Sequence, residues 1–210
     1  MPLTGFLKKL RERITSSEKS ISPQLLMWYG TEREPVIGPL ASGYRLRPFE
    51  EGDEEGWCRV LNAHTDLGRW DLERVQEELE GDLVLQGQQF ALAGEEIVAT
   101  AGVYGRQRPE GEAWEIGWVA TQPEHRGKGL GGQVTAAAVK VALRQPRRPI
   151  FLLTDDARIP ALKVYLKLGF VPDLRHSSYP ERWRTIFGLL GDGYAIYQPE
   201  FSRDLGKEEQ

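Results

Sequence analysis

Cysteine is almost missing from this chain. Cys58 stands alone among 210 residues, which excludes an internal disulfide and leaves the fold to its core. Set in Trp57-Cys58-Arg59-Val60, it reads as a small buried hydrophobe rather than a nucleophile, and the cytoplasm is the expected compartment. Histidine is scarce too. His64, His125 and His176 are far apart, and none lies at ligand spacing with another histidine or with Cys58, so no metal is assigned. No apolar run nears the roughly 18 residues that span a bilayer, and the N-terminus lacks the apolar core and small-residue cleavage site of a secretory signal. A basic excess is also absent. Lys and Arg number 27 against 31 Asp and Glu, for a net charge of -4, which argues against a nucleic-acid partner because phosphate binding needs a concentrated basic face.

What is present suits one buried core. Hydrophobic residues make up 40% and charged residues 28%, ordinary globular values, and the length fits one domain with an extension. Residues 1–43 read as that extension. Phe6, Leu7, Leu10 and Ile14 fall at helical spacing among Lys8, Lys9, Arg11 and Arg13, which suggests a docking arm or terminal segment rather than a membrane-surface helix. A polar stretch follows, then the apolar patch Leu25-Leu26-Met27-Trp28-Tyr29. A regular pattern runs over 44–200, and residues 201–210 form a charged tail. Strands are expected at Tyr44–Pro48, Gln89–Ala93, Glu96–Tyr104, Trp114–Ala120, Ile150–Leu153, from Phe170, and at Tyr194–Tyr197. Helices are expected at Glu54–Ala63, at Leu72–Leu79 (Leu72, Val75 and Leu79 on one face), at Gly131–Leu143, between Pro160 and Gly169, and at Pro180–Leu190. The order predicts a mixed α/β fold.

Chemistry enters at Arg126-Gly127-Lys128-Gly129-Leu130-Gly131-Gly132, between a strand and a helix. Unpaired N–H groups at a helix start, with glycines that admit close approach, make a cradle for pyrophosphate. Three readings compete. A Walker loop needs Ser or Thr after Gly-Lys, and Gly129 stands there instead. The dinucleotide pattern G-x-G-x-x-G matches Gly127, Gly129 and Gly132, with Asp155 near the place of a ribose-binding acid. Yet Thr121 to Arg126 separate the glycines from the strand, and antiparallel strands precede them. The third reading is an acyl-CoA site.

The run Trp114-Glu115-Ile116-Gly117-Trp118-Val119-Ala120-Thr121-Gln122-Pro123-Glu124-His125-Arg126-Gly127-Lys128-Gly129-Leu130-Gly131 resembles motif A of the GNAT N-acetyltransferase superfamily, whose pattern R/Q-x-x-G-x-G/A is met by Arg126, Gly129 and Gly131. Downstream, Ala161-Leu162-Lys163-Val164-Tyr165-Leu166-Lys167-Leu168-Gly169-Phe170 resembles the A-x-x-x-Y-x-x-x-G-F of motif B. The resemblance covers residues 44 to 198 in element order and is motif-specific over 114 to 171. It implies a three-layer α/β/α fold, with a largely antiparallel sheet flanked by helices on both faces, and transfer of an acetyl group from acetyl-CoA to an amine. The alternative is a non-catalytic acyl-CoA sensor or interaction module of the same fold. One departure is that Arg158 stands where the family often has an Asn that contacts the pantetheine arm. The Asp155-Asp156 pair is read as capping the next helix.

The resemblance also implies roles. Acetyl-CoA would lie on Arg126, Gly127, Lys128, Gly129, Leu130, Gly131 and Gly132, along the strand edge Val119-Ala120-Thr121, and beside Arg158. An ordinary amine of pKa near 10.4 is neutral to only about 0.04% at pH 7, so a base or water relay helps. Glu115 is aligned for that task, and is equally well read as a polar strand residue. A backbone N–H near Val119 or Ala120 would meet the oxyanion, and Tyr165 would serve the departing thiolate. Acceptor recognition would come from Asn62–Trp70 (with His64 and Asp66) and Arg175–Trp183 (with His176 and Tyr179), with residues 173–190 as a lid. Expected partners are acetyl-CoA and an amine, with no metal, nucleic acid or membrane; a homodimer is compatible. The acceptor class stays open among a protein N-terminus, lysine, polyamine, aminoglycoside and thiol-bearing amine, with a small molecule preferred.

Overall fold

Seven strands form one sheet in the order β2-β3-β4-β5-β6-β1-β7. They belong to a computed structural model that describes residues 23–84, 86–146 and 148–199. The amphipathic stretch Phe6–Ile14 and the tail 201–210 lie outside the described residues. In chain order the elements are β1 (Leu25–Tyr29), β2 (Tyr44–Pro48), α1 (Glu54–Asn62), α2 (Leu72–Glu80), β3 (Gln89–Ala93), β4 (Glu96–Arg108), β5 (Gly111–Thr121), α3 (Leu130–Arg144), β6 (Ile150–Thr154), α4 (Ile159–Leu168), β7 (Phe170–Pro172) and α5 (Tyr179–Leu190). Every strand pairing is antiparallel except β5 with β6. This is the mixed, largely antiparallel sheet that the sequence predicted.

Strand alternation divides the core. On β3, Phe90 and Leu92 point into a cluster with Trp57, Val60, Leu61 and Val75 of α1 and α2, while Ala91 faces the larger cluster with Val134, Ala138 and Ala142 of α3. Helices therefore cover both faces. Helix starts follow local chemistry: Asp71 accepts the Arg74 N–H at 3.0 Å to cap α2, Pro160 stands in the first turn of α4, and Gly169 closes that helix at φ 103°. The Asp53 carboxylate at the start of α1 instead takes two hydrogen bonds from Arg47 of β2, at 2.5 and 2.7 Å. That pair ties the helix to the sheet.

Four expectations are corrected. Leu25–Tyr29, inside the segment read as an extension, is an interior strand between β6 and β7. Tyr194–Tyr197 is no strand; it falls within a 3-10 helix spanning Asp192–Tyr197, and the edge of β6 that faces away from β5 is already filled by β1. Leu72 is 52% exposed, while Val75 is fully buried. Asp155 and Asp156 do not cap α4; Asp156 binds Arg182 of α5 and Asp155 accepts from Gln24. Cys58 is buried as expected, and burial pushes its thiol pKa up.

Candidate active site

β5 and β6 stay paired only at Trp114↔Ile150 and Glu115↔Phe151. Beyond that point β5 continues to Thr121 and β6 to Thr154, and the two strands part, although β6 remains zipped to β1 on its other edge. A gap in mid-sheet leaves backbone N–H and C=O groups free for a ligand.

β5 also carries a bulge. Pairing with β4 jumps from Thr100↔Ala120 to Gly102↔Gly117, so Trp118 and Val119 together oppose Ala101. Trp118 sits at φ 49°, a conformation costly for a bulky side chain. Its indole is held edge-on to Trp70, with centroids 4.6 Å apart, and Trp70 in turn stacks on buried Trp57. Arg74 lies 3.9 Å over the Trp70 ring. The smaller core cluster thus pays for the strained backbone at the gap.

Two cavities open on the gap. The larger, about 650 Å³, runs from the gap to the glycine loop. Val119, Ala120, Thr121, Arg126, Gly127, Gly129, Leu130, Gly131, Gly132 and Arg158 all line it. Gly127 and Gly129 both have φ 76°, the left-handed backbone that favours glycine, and α3 starts at Leu130 with its first N–H groups facing no preceding carbonyl. Gly132 has a packing role as well, because a Cβ there would come within 3.3 Å of Ile37. Lys128 departs from expectation. It does not line the cavity; its Nζ donates to the Tyr44 hydroxyl at 2.7 Å. Arg126 is steadied by His64, whose Nδ1 lies 3.4 Å from its Nη2, while His64 Nε2 donates to the Thr121 carbonyl at 3.0 Å. Burial lowers the pKa of His64, against the raising effect of that carbonyl, which favours the neutral ring.

The second cavity, about 430 Å³, holds Glu115. The Glu115 carboxylate accepts from Arg106 Nε at 2.7 Å, and Arg106 also reaches Asp82. Sequence reading missed Arg106. The signal was available, because the turn that pairs Arg108 with Gly111 sets Arg106 opposite Ala113, diagonal to Glu115. Gln24 and Tyr104 also line this cavity and were likewise missed. Of the two segments expected to recognise an acceptor, the first contributes Asp66, Leu67 and Gly68. The second does not: Tyr179 and Trp183 are buried in the main core, so α5 packs as a core helix and not as a lid.

Val119, Asp66, Arg158 and Tyr165 line both cavities. Tyr165, on α4, is 4% exposed. Burial pushes its pKa up to about 12, partly offset by the positive charge of Arg158. Arg158 binds Asp66 across the mouth of the gap. Burial is the largest influence on Asp66 and works to raise its pKa, but the Arg158 charge, a backbone hydrogen bond, the Arg158 hydrogen bond and His64 together outweigh it, and the net shift is downward. The arrangement suits a long donor in the larger cavity whose reactive end reaches Tyr165, with an acceptor arriving from the smaller one. Among the described residues no His, Cys, Asp and Glu cluster is suited to a metal ion, and no helix is long and apolar enough to cross a membrane.

Comparison with known proteins gives a consistent picture. The sequence profile of the Acetyltransferase (GNAT) family matches residues 50–170. A mycothiol acetyltransferase of Thermobispora bispora is 33% identical over 155 residues, which are 66% of this chain and 52% of that protein. One from Kocuria rhizophila is 30% identical over 171 residues, 74% of this chain and 52% of that protein. The chain thus spans about half the length of these curated relatives. Among solved structures, an aminoglycoside N-acetyltransferase in complex with CoA superposes with a TM-score of 0.53 at 20% identity, over 68% of this chain and 97% of that one. That likeness concerns the fold.

Proposed function

The chain belongs to the acetyltransferase (GNAT) family, and from that premise we propose that it is an acyl-CoA-dependent N-acyltransferase moving an acetyl group from acetyl-CoA directly to a small-molecule amine. The observation that carries this reading is the meeting of two cavities at Tyr165 and the β5 bulge, on the gap between β5 and β6. A thioester and an amine brought together there exchange an intermolecular encounter for a positioned one.

The residues divide the work. Backbone N–H groups of residues 127–132, with Arg126, take the pyrophosphate. The bulged edge at Val119 and Ala120 supplies a backbone N–H to the oxyanion that forms as the amine nitrogen attacks the carbonyl carbon. Glu115 and Asp66 face the acceptor side as carboxylates; they attract a cationic amine, and Glu115, directly or through water, receives the proton it sheds. Tyr165 donates a hydrogen bond to the sulfur as the C–S bond breaks. The gap fits this donor, because the Tyr165 hydroxyl has no partner among the described residues and Gly127 and Gly129 of the loop have open space above them. Mycothiol acetyltransferases are among the relatives, so thiol-bearing amines of that kind head the acceptor panel.

Titration calorimetry with acetyl-CoA, using NAD as control, tests the donor first. Micromolar binding of acetyl-CoA alone, followed by amine-dependent release of CoA thiol, is the expected result. No acetyl-CoA binding overturns the reading. Binding without turnover across a broad amine panel would instead make the chain a non-catalytic CoA-binding module.

A further inference from the structure

Arg158 precedes the first turn of α4, and its guanidinium reaches a residue 92 positions away in sequence, Asp66 on the short turn after α1. Its Nε lies 3.6 Å from Asp155 on the same side. One edge of the guanidinium is therefore anchored, while its Nη1 has no partner among the described residues. The side chain is 25% exposed, and it lines both cavities together with Tyr165. A permanent positive charge thus stands at the seam where donor and acceptor would meet.

Tyr165 alone does not dispose of the leaving group well. Its phenol, at about 12, is some three and a half pK units weaker as an acid than an ordinary thiol near 8.5, so full proton transfer to the thiolate is roughly 3,000-fold unfavourable. The sulfur therefore departs carrying its charge. We propose that Arg158 is a further catalytic residue, the cation that stabilises the CoA thiolate as it leaves. The amine nitrogen bonds to the carbonyl carbon and the C–S bond breaks. Its electron pair stays on sulfur beside the guanidinium, and Tyr165 keeps its proton while hydrogen-bonding the same sulfur. The amine proton leaves on the carboxylate side. Arg158 transfers no proton, so its help persists at any working pH.

The inference rests on the donor reading above, and one equilibrium experiment separates the two. Binding of CoA and of desulfo-CoA, which lacks the thiol, is measured by calorimetry from pH 7 to 9.5. A bound thiol pKa lowered by about one unit makes CoA gain roughly five- to tenfold in affinity over desulfo-CoA across that range. Arg158→Met should abolish the pH-dependent gain in the ratio of CoA to desulfo-CoA affinity, a ratio in which any general loss of donor affinity cancels, and Arg158→Lys should keep most of it. A pH-independent ratio in the native protein, or an undiminished gain in Arg158→Met, overturns the assignment. No binding of either ligand overturns the donor reading and the assignment with it.

Discussion

Removing the Tyr165 hydroxyl separates chemistry from architecture. The phenol is buried, yet its oxygen bonds to nothing among the described residues, so Tyr165→Phe deletes no internal hydrogen bond. Stability should change by less than about 0.5 kcal/mol. The catalytic loss follows from the same geometry. A phenol at about 12 facing a thiol near 8.5 would need about 5 kcal/mol for complete proton transfer, so its contribution is a hydrogen bond to a charged sulfur, worth about 1.5–3 kcal/mol. That predicts a kcat reduced about 10- to 150-fold. The assay is continuous detection of released CoA thiol with a saturating amine, alongside a thermal melt. No alkaline limb from this residue should appear in kcat below pH 10. A Tyr165→Phe rate within twofold of that of the native protein would refute the proposed role, and an alkaline limb near 10 that vanishes in the variant would refute the buried, raised phenol.

Three further outcomes are expected. The Tyr165 pKa, raised by burial to about 12, means that the unfolded chain ionises before the folded one. Stability is intact below pH 10 and falls between about 10 and 12, by roughly 3 kcal/mol for two units; urea midpoints at pH 9 and 11.5 should show the drop, and Tyr165→Phe should lessen it. Burial works to raise the Asp53 pKa, but the Arg47 hydrogen bonds and the Glu50 N–H hold it below the ordinary carboxylate value, so its stabilisation is present above pH 4 and is lost as pH falls through the folded pKa. Asp53→Ala strips Arg47, 15% exposed, of its two hydrogen bonds to that carboxylate, leaving it the Pro48 carbonyl and Glu50 at 3.5 Å, and should cost about 1–3 kcal/mol in urea unfolding at pH 7. Gly102→Ala would set a Cβ 2.6 Å from Gln88 Oε1 and the Tyr104 ring and hydroxyl. Both neighbours are fully buried, so the melting temperature should fall with a loss of about 1–3 kcal/mol.

Much of this architecture was legible in the sequence, because periodicity and punctuation agreed. Pro160 and Gly169 bracket α4, the glycines of 127–132 mark the entry to α3, and Gly94-Glu95 joins β3 to β4. What escaped is non-local. Leu25–Tyr29 is a five-residue apolar run without alternation, buried on both sides, and only its neighbours from residues 150–172 make it a strand. Tyr194–Tyr197 has strand-like composition, but composition does not reveal that the adjoining edge is taken. The bulge at Trp118 depends on an indole stack assembled from three separate segments. Most residues that line the larger cavity were legible because they are contiguous in sequence, whereas Arg106 and Gln24 reach the smaller cavity only through the fold.

The place of β1 has a consequence for how the chain is made. Trp28 donates its indole N–H to Asp173, 145 positions further on, and both strands that flank β1 come late in the sequence. At about 5–20 residues per second on the ribosome, β1 waits roughly 6 to 25 seconds for β6, its first neighbour. Such separation raises the contact order and slows folding. Until β6 appears, Leu-Leu-Met-Trp-Tyr is an open edge that any other nascent chain can pair with. The half of the sheet that frames the gap is therefore completed late, and its assembly depends on β1 having stayed free.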